Sequence, residues 1–245
     1  MVTPADGGAT DVVTATGETV FDAGPAPLGC IRHTMNLTND IPTLKNGGDW
    51  HQVEVGSATF AVEDGGFVTR LAGGSTSASE ASMYFDVPYP PDAGFADVIR
   101  MRCEMRVVVS SFAGDGRLFQ FRLFPGQSTT FDDARLEWSI GDVDNVRIAA
   151  QTHDDAGMEI GGRYLPAPKP PAGTPLALIT ELTLEPTPHF VVDLDKIHLE
   201  TDPLPPFDKI REGDISVGIY SPAGAAPFEV RYDNVVCDIC TKQPR

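Results

Sequence analysis

Lysine is scarce in this chain: five lysines stand beside thirteen arginines, and 35 acidic residues outweigh them to leave a formal charge of −17. Such a surface repels a phosphate backbone over most of its area, which argues against nucleic acid and anionic membranes as partners. Where positive charge does occur, it is mostly a planar guanidinium that hydrogen-bonds in a bidentate fork. Long hydrophobic runs are absent too; no stretch of about 18 apolar residues exists, so no transmembrane segment is expected. A helical period of 3.6 never persists beyond two turns and no internal repeat occurs, so helix is expected to be minor. The first twenty residues hold no basic segment followed by an apolar one, so no signal peptide is read there. Catalytic signatures are missing as well. There is no Gly-x-Ser-x-Gly turn and no glycine-rich phosphate loop, and His33, His51, His153, His189 and His198 stand without metal-pair spacing.

What the chain does have is punctuation and alternation. It carries 24 glycines and 21 prolines, far more than a helical protein tolerates, with 41% hydrophobic residues to fill a core. From Ile99 to Val109 apolar and polar residues alternate with period two, the mark of a strand with one wet face. The same alternation recurs at Met83–Val87, Phe119–Leu123, Leu136–Ile140, Val146–Ala150, Leu178–Leu184, Ile215–Ile219 and Phe228–Tyr232. Between Phe190 and Glu200 the apolar phase switches around Asp195–Lys196, as at a hairpin, and it changes again near Asp233–Asn234, as at a bulge. Tyr164–Pro175, with five prolines, and the segment around Pro203–Pro206 are expected to be loops. The fold class expected is all-β, a two-sheet antiparallel sandwich of roughly ten or more strands.

Two regions are distinguished by composition. Residues 1–27 are small, polar and aperiodic, and are expected to form a flexible N-terminal tether ahead of a β-sandwich domain over 28–241. The four cysteines, Cys30, Cys103, Cys237 and Cys240, allow three disulfide pairings, among which the sequence does not choose. Zinc at Cys237–Cys240 would need a second cysteine pair of similar spacing, which is lacking, so disulfides and an extracellular or cell-surface location are expected. A lipid anchor at the end of the tether is compatible with that location.

Three pieces carry a resemblance to a known architecture: Trp50-His-Gln-Val-Glu-Val55, the hairpin around Asp193-Leu-Asp195, and Ile215-Ser-Val-Gly-Ile-Tyr220 followed by Phe228-Glu-Val-Arg-Tyr-Asp-Asn-Val-Val236. Over about residues 45–240 the chain resembles the concanavalin A-like jelly roll, in particular laminin-G-like domains of bacterial surface proteins. The resemblance implies glycan binding, protein binding at a surface, or polysaccharide cleavage. Relatives that hydrolyse β-glucans carry Glu, Asp and Glu at alternate positions of one strand. Here Glu137 is followed by Ser139 and Gly141, which departs from that pattern.

The candidate ligand site is an arginine-rich polar face. If the apolar alternates point inward, then Arg100, Arg102, Arg106, Arg122, Arg135 and Arg147 point outward, joined by Gln120, Glu137, Gln151 and His153. Guanidinium forks suit carboxylate or sulfate groups, so an acidic polysaccharide is the ligand expected. The alternative is that Glu104 and Glu137 simply pair with these arginines across strands. Tyr84 and Tyr164 are candidates for stacking on sugar rings, Trp50 is a further one, and Trp138 falls on the apolar side. Structural calcium is the cofactor considered, with Asp233 as its ligand and Asp132–Asp133, Asp142, Asp144 and Asp154–Asp155 as further oxygen donors. The function expected is a non-catalytic extracellular module binding a glycan or another cell-surface component. The alternatives are a polysaccharide-cleaving enzyme, lyase or glycoside hydrolase, with Glu137 and His153 as acid and base, and a structural or adhesive surface protein.

Overall fold

In the computed structural model the backbone is described for residues 10–13, 19–22, 24–35, 50–74, 76–87, 98–112, 116–125, 133–140, 146–153, 159–167, 171–187, 189–200, 210–223 and 227–242. Side chains are described for 24–35, 50–74, 76–85, 87, 98–111, 171–187, 189–200, 214–223 and 227–242. Every regular element among them is a strand. The first six are β1 (Thr10–Val13), β2 (Thr19–Asp22), β3 (Cys30–Met35), β4 (His51–Val55), β5 (Ala58–Glu63) and β6 (Gly66–Leu71). The middle of the chain gives β7 (Ser79–Val87), β8 (Val98–Phe112), β9 (Gly116–Pro125), β10 (Asp133–Ile140), β11 (Val146–His153) and β12 (Glu159–Ala167). The last five are β13 (Pro175–Thr183), β14 (His189–Leu194), β15 (Ile197–Glu200), β16 (Ile210–Ser221) and β17 (Phe228–Thr241).

Apart from the β1–β2 pair, these strands form two antiparallel sheets. One has seven strands in the order β12-β11-β10-β9-β16-β7-β4. The other has eight on the path β15-β14-β13-β8-β17-β6-β5 together with β3, which pairs with the second half of β17. The architecture is the two-sheet sandwich that the alternation predicts. Its core is filled by Trp50, Phe67, Phe85, Phe190, Phe228 and Tyr232, all but sealed from solvent. Across this core His33 of β3 stacks on Phe85 of β7 with ring centroids 4.3 Å apart, and Trp50 meets Phe85 edge-on at 4.7 Å. Trp50 is therefore core and not a sugar platform.

Both predicted irregularities are present. Asp195 turns the β14–β15 hairpin at φ 54°, and Asn234 sits at φ 55° where the β17–β8 register slips between Asp233 and Val236. The slip changes which residues of β17 face the core. Tyr232 before it and Val235, Cys237 and Ile239 after it all point inward, so one strand fits two neighbours, β6 and then β3, along the same edge. The disulfides are Cys30–Cys240, joining β3 to β17, and Cys103–Cys237, joining β8 to β17. Both fasten this second half of β17, at direct cross-strand partners.

Two expectations need correction. The segment 1–27 was expected to be aperiodic, yet Thr10–Val13 and Thr19–Asp22 pair as a hairpin apart from the two large sheets. Strand β12 runs through Tyr164 and Pro166 to Ala167, where a loop was expected. Its place at the edge of the seven-stranded sheet explains this, because proline needs no ladder partner on an edge strand. The segment around Pro203–Pro206 lies outside the described residues.

Candidate functional site

The six arginines expected to share one face do not. Arg100, Arg102 and Arg106 lie on β8 of the eight-stranded sheet, whereas Arg122, Arg135 and Arg147 lie on β9, β10 and β11 of the seven-stranded sheet. Alternation says which way a side chain points from its own sheet, but not which sheet the strand joins. Each group therefore has to be read on its own face.

On the eight-stranded sheet the charges alternate across the strands. The row reads Arg32 of β3, Asp238 of β17, Arg102 of β8 and Glu181 of β13, each in register with the next. The ion pairs are closed. Arg32 donates from Nε and Nη2 to the two carboxylate oxygens of Asp238 at 2.7 and 2.6 Å, with the Asp238 side chain only 3% exposed. Asp238 in turn raises the Arg32 pKa, mainly through this hydrogen bond. Arg102 donates to Glu104 at 2.8 Å, and the Arg100 Nε lies 3.3 Å from Glu181. Further along, Arg70 grips Glu63 through both Nη atoms at 2.7 Å and Glu229 through Nε at 3.0 Å, which holds the Glu63 carboxyl below the usual range. Arg106 stands exposed, in register with Asp233. The solubilising reading thus describes Arg100 and Arg102.

Asp233, the expected calcium ligand, is engaged in the same way. Both of its carboxylate oxygens accept from Arg231 Nε, at 2.9 and 3.0 Å. A calcium ion there would have to displace a guanidinium, so the residues at Asp233 do not fit one. Among the described residues no group of three or more His, Cys, Asp or Glu side chains is arranged to hold a metal. The other acidic donors fall at positions whose side chains lie outside the described residues.

The polar face of the seven-stranded sheet is organised differently. One row of Cα partners passes from the buried Met83 and Val217 to the positions of Phe119, Trp138 and Ile148. The opposite face has a central row of Tyr164, Ala149, Glu137, Gln120, Ser216, Tyr84 and His51, each in register with the next across all seven strands. Beside it runs a second row of Gln151, Arg135, Arg122, Asp214 and Asp86. On its other flank Arg147 is opposite Ser139, which is opposite Arg117, and Arg117 is opposite Tyr220 and then Glu80.

Charge on this face is therefore sorted, not alternated. Apart from Asp133 and Glu137 on β10, the strands β9–β11 carry arginines as their charged residues on this face, while Asp214, Asp86 and Glu80 sit on β16 and β7. Arg135 is placed directly opposite Arg122, a juxtaposition that disfavours the sheet unless an anion or a flanking carboxylate compensates it. Asp214, 6% exposed, is the flanking partner of Arg122, while Arg135 has the neutral donor Gln151 on its other side. The side chains of Arg122, Arg135, Arg147, Glu137, Gln120, Gln151, His153 and Tyr164 lie outside the described residues, so for these it is the register that is given.

The other expected residues are placed as follows. Tyr84 is half-buried on β7, and its ring stacks on His51 of β4 with centroids 4.7 Å apart and planes 12° from parallel. Next to it, Gly218 adopts φ 143° because a Cβ would run into the Ala81 carbonyl and Ser82 of β7. Strands β16 and β7 approach so closely that only glycine fits, and Ser216 and Gly218 leave little side-chain bulk beside Tyr84. His153 stands opposite Asp133, at the far end of β11 from Glu137's partner Ala149. Four residues along a strand is about 13 Å between backbone positions. The side chains of Glu137 and His153 lie outside the described residues. Sequence reasoning missed Asp214, Arg117 and the pairing of His51 with Tyr84. Asp214 could have been found from its phase in Asp214-Ile-Ser-Val, but His51 and Tyr84 are 33 positions apart with nothing local to link them.

No family model matches the chain, and no curated protein matches it. Solved structures do. A GlcNAcα1-4Gal-releasing endo-β-galactosidase from Clostridium perfringens superposes with TM-score 0.57 at 15% identity, covering 89% of this chain and 64% of its own. A family 7 alginate lyase, solved with substrate bound after a histidine was changed to asparagine and a tyrosine to phenylalanine, gives 0.57 at 10% identity, with 87% and 94% covered. The metal-free carbohydrate-recognition domain of Emp46p gives 0.50 at 15% identity, covering 82% of this chain and 94% of its own. At these identities the likeness defines the fold, a concanavalin A-like jelly roll. This chain spans 64% of the length of the endo-β-galactosidase.

Proposed function

We propose that the protein binds a glycan bearing carboxylate or sulfate groups, on the polar face of the seven-stranded sheet. The observation that carries the reading is the register of Arg135 opposite Arg122, with Gln151 beyond, on strands where four arginines outnumber the two acidic residues of the same face, Asp133 and Glu137. On the eight-stranded face Arg32, Arg70, Arg100 and Arg102 are already engaged by carboxylates, which leaves Arg106 as a single exposed guanidinium and not a facing pair. Structural neighbours that recognise or degrade carbohydrates support the glycan reading, and two disulfides support an extracellular or cell-surface location.

The test is retention of the protein on immobilised glucuronate-bearing xylan and alginate, each beside its carboxyl-reduced form. Binding that requires the carboxyl group is expected; equal retention on the reduced polymers would overturn the reading. Because the protein carries a formal charge of −17, overall repulsion opposes capture of a polyanion. Retention is therefore expected to be stronger at about 0.15 M salt, where screening acts beyond ~8 Å, than at 0.01 M, and weaker again at 1 M.

A second reading, cleavage of the same glycan by elimination, draws on one arrangement: Arg135, Gln151 and His153 follow one another on the same face of β10–β11. A guanidinium and an amide would neutralise the uronate while His153 takes the C5 proton; the C4=C5 double bond forms as the C4–O glycosidic bond breaks, and the departing oxygen takes a proton from water. Release of unsaturated uronate, read by its ultraviolet absorbance and lost in His153→Ala, would favour cleavage over binding alone.

A further inference from the structure

The polar face has two halves of opposite character, and the ligand that satisfies both is not a uniform polyanion. On β9–β11 stand Arg117, Arg122, Arg135 and Arg147. On β16, β7 and β4 stand the stacked rings of Tyr84 and His51, with Asp86 placed two residues along β7, Asp214 on the neighbouring strand and Glu80 four residues the other way. Ser82 of the same strand donates to Glu80 at 2.5 Å, so this half is a hydrogen-bonding acidic surface around an aromatic pair. A uronate placed over Tyr84 would stand in a half where the charged residues with described side chains along β16 and β7, Asp214 and Glu80, are acidic, and like charges oppose it. An uncharged pyranose would instead lay its C–H face on the ring and donate its hydroxyls to the carboxylates.

We infer that the Tyr84–His51 pair is a subsite for an uncharged sugar, so that the preferred ligand carries an acidic group for the arginine half and neutral sugars for the aromatic half. The inference rests on the proposed function, since it uses the same face. The two halves are separated by two strand spacings and about two residues along the strands, roughly 12 Å from Arg122 to Tyr84, which is more than one sugar ring. A monosaccharide cannot engage both; an oligosaccharide lying across the strands can. Ser216 and Gly218, in the strand between, leave the path low beside Tyr84.

The experiment compares, by titration calorimetry on the whole protein, three oligosaccharides of equal length: a xylo-oligosaccharide bearing a single glucuronate, an uncharged xylo-oligosaccharide, and an oligogalacturonate. The mixed ligand is expected to bind at least tenfold tighter than either of the others. Tyr84→Ala should remove its advantage over the oligogalacturonate, while Tyr84→Phe, which keeps the ring face, should preserve it; circular dichroism melting shows whether each variant folds. Oligogalacturonate binding as tightly as the mixed ligand, or Tyr84→Ala folding with the preference intact, would overturn the neutral subsite and leave acidic-glycan binding standing. Equal binding of the charged and uncharged xylo-oligosaccharides would overturn the proposed function itself, and with it the bipartite site.

Discussion

The eight-stranded sheet sets Arg32, Asp238, Arg102 and Glu181 in one cross-strand row, sign against sign, while the seven-stranded sheet sets Gln151, Arg135, Arg122, Asp214 and Asp86 in another, like beside like. The residue types are the same and the fold treats them identically, as the polar alternates of half-buried strands. What differs is the electrostatic work left undone. A row of alternating signs neutralises itself and asks for nothing from solution; a sorted row keeps a positive half that an anion can complete. On the proposed function, stability and recognition fall on opposite sides of one core.

The comparison breaks most visibly if the eight-stranded side is disarmed. Replacing Cys103 and Cys237 by serine removes the crosslink between β8 and β17 inside the core, and a loss of about 2–5 kcal/mol in unfolding free energy is expected from denaturant titration. Arg32→Ala strands the Asp238 carboxylate, which is buried, and should cost about 3 kcal/mol by the same measurement. Neither change should weaken glycan binding at temperatures where the variant is folded. If Arg32→Ala were instead neutral for stability and harmful to binding, the roles given to the two faces would be reversed.

A smaller effect sharpens the picture along the pH axis. Asp193, 2.6 Å from His198 Nδ1, raises the pKa of this exposed histidine. Its stabilising contribution is complete below about pH 6.5 and is lost as pH rises through the raised value. Arg70 lowers the Glu63 pKa, so that pair contributes fully above about pH 4.5 and is lost as pH falls through the depressed value. Both pairs are solvent-exposed and each effect should be slight. Melting temperatures across pH 3–9 should show a shallow plateau between these limits; a His198→Ala variant whose profile still declines through the neutral range as the parent does would remove His198 as the cause.

Much of the fold was legible because period two is a local signal. Strands β7, β8, β13, β14, β16 and β17, the hairpin at Asp195 and the bulge at Asn234 all follow from the spacing of apolar residues. The β5–β6 hairpin was legible in principle from Asp64–Gly65 between alternating segments, both residues at positive φ, but was not read. Strand β12 was hidden by its prolines, whose meaning depends on whether a strand is an edge. The site was less legible for a deeper reason. Arg102 and Arg122 look alike in sequence, and only the pairing of strands far apart in the chain shows that one stands between Asp238 and Glu181 and the other between Asp214 and Arg135. The disulfide pairing was open for the same cause, and it closed only when β17 was placed between β3 and β8.

The most direct measurement of the division between the two faces is affinity for glucuronate-bearing xylan in two double variants, Arg122→Ala with Arg135→Ala and Arg100→Ala with Arg102→Ala, each beside the parent protein. The first is expected to lose binding at least tenfold with its melting temperature little changed, and the second to bind as the parent does with a modest loss of stability. The opposite pattern, binding kept without Arg122 and Arg135 and lost without Arg100 and Arg102, would contradict the account.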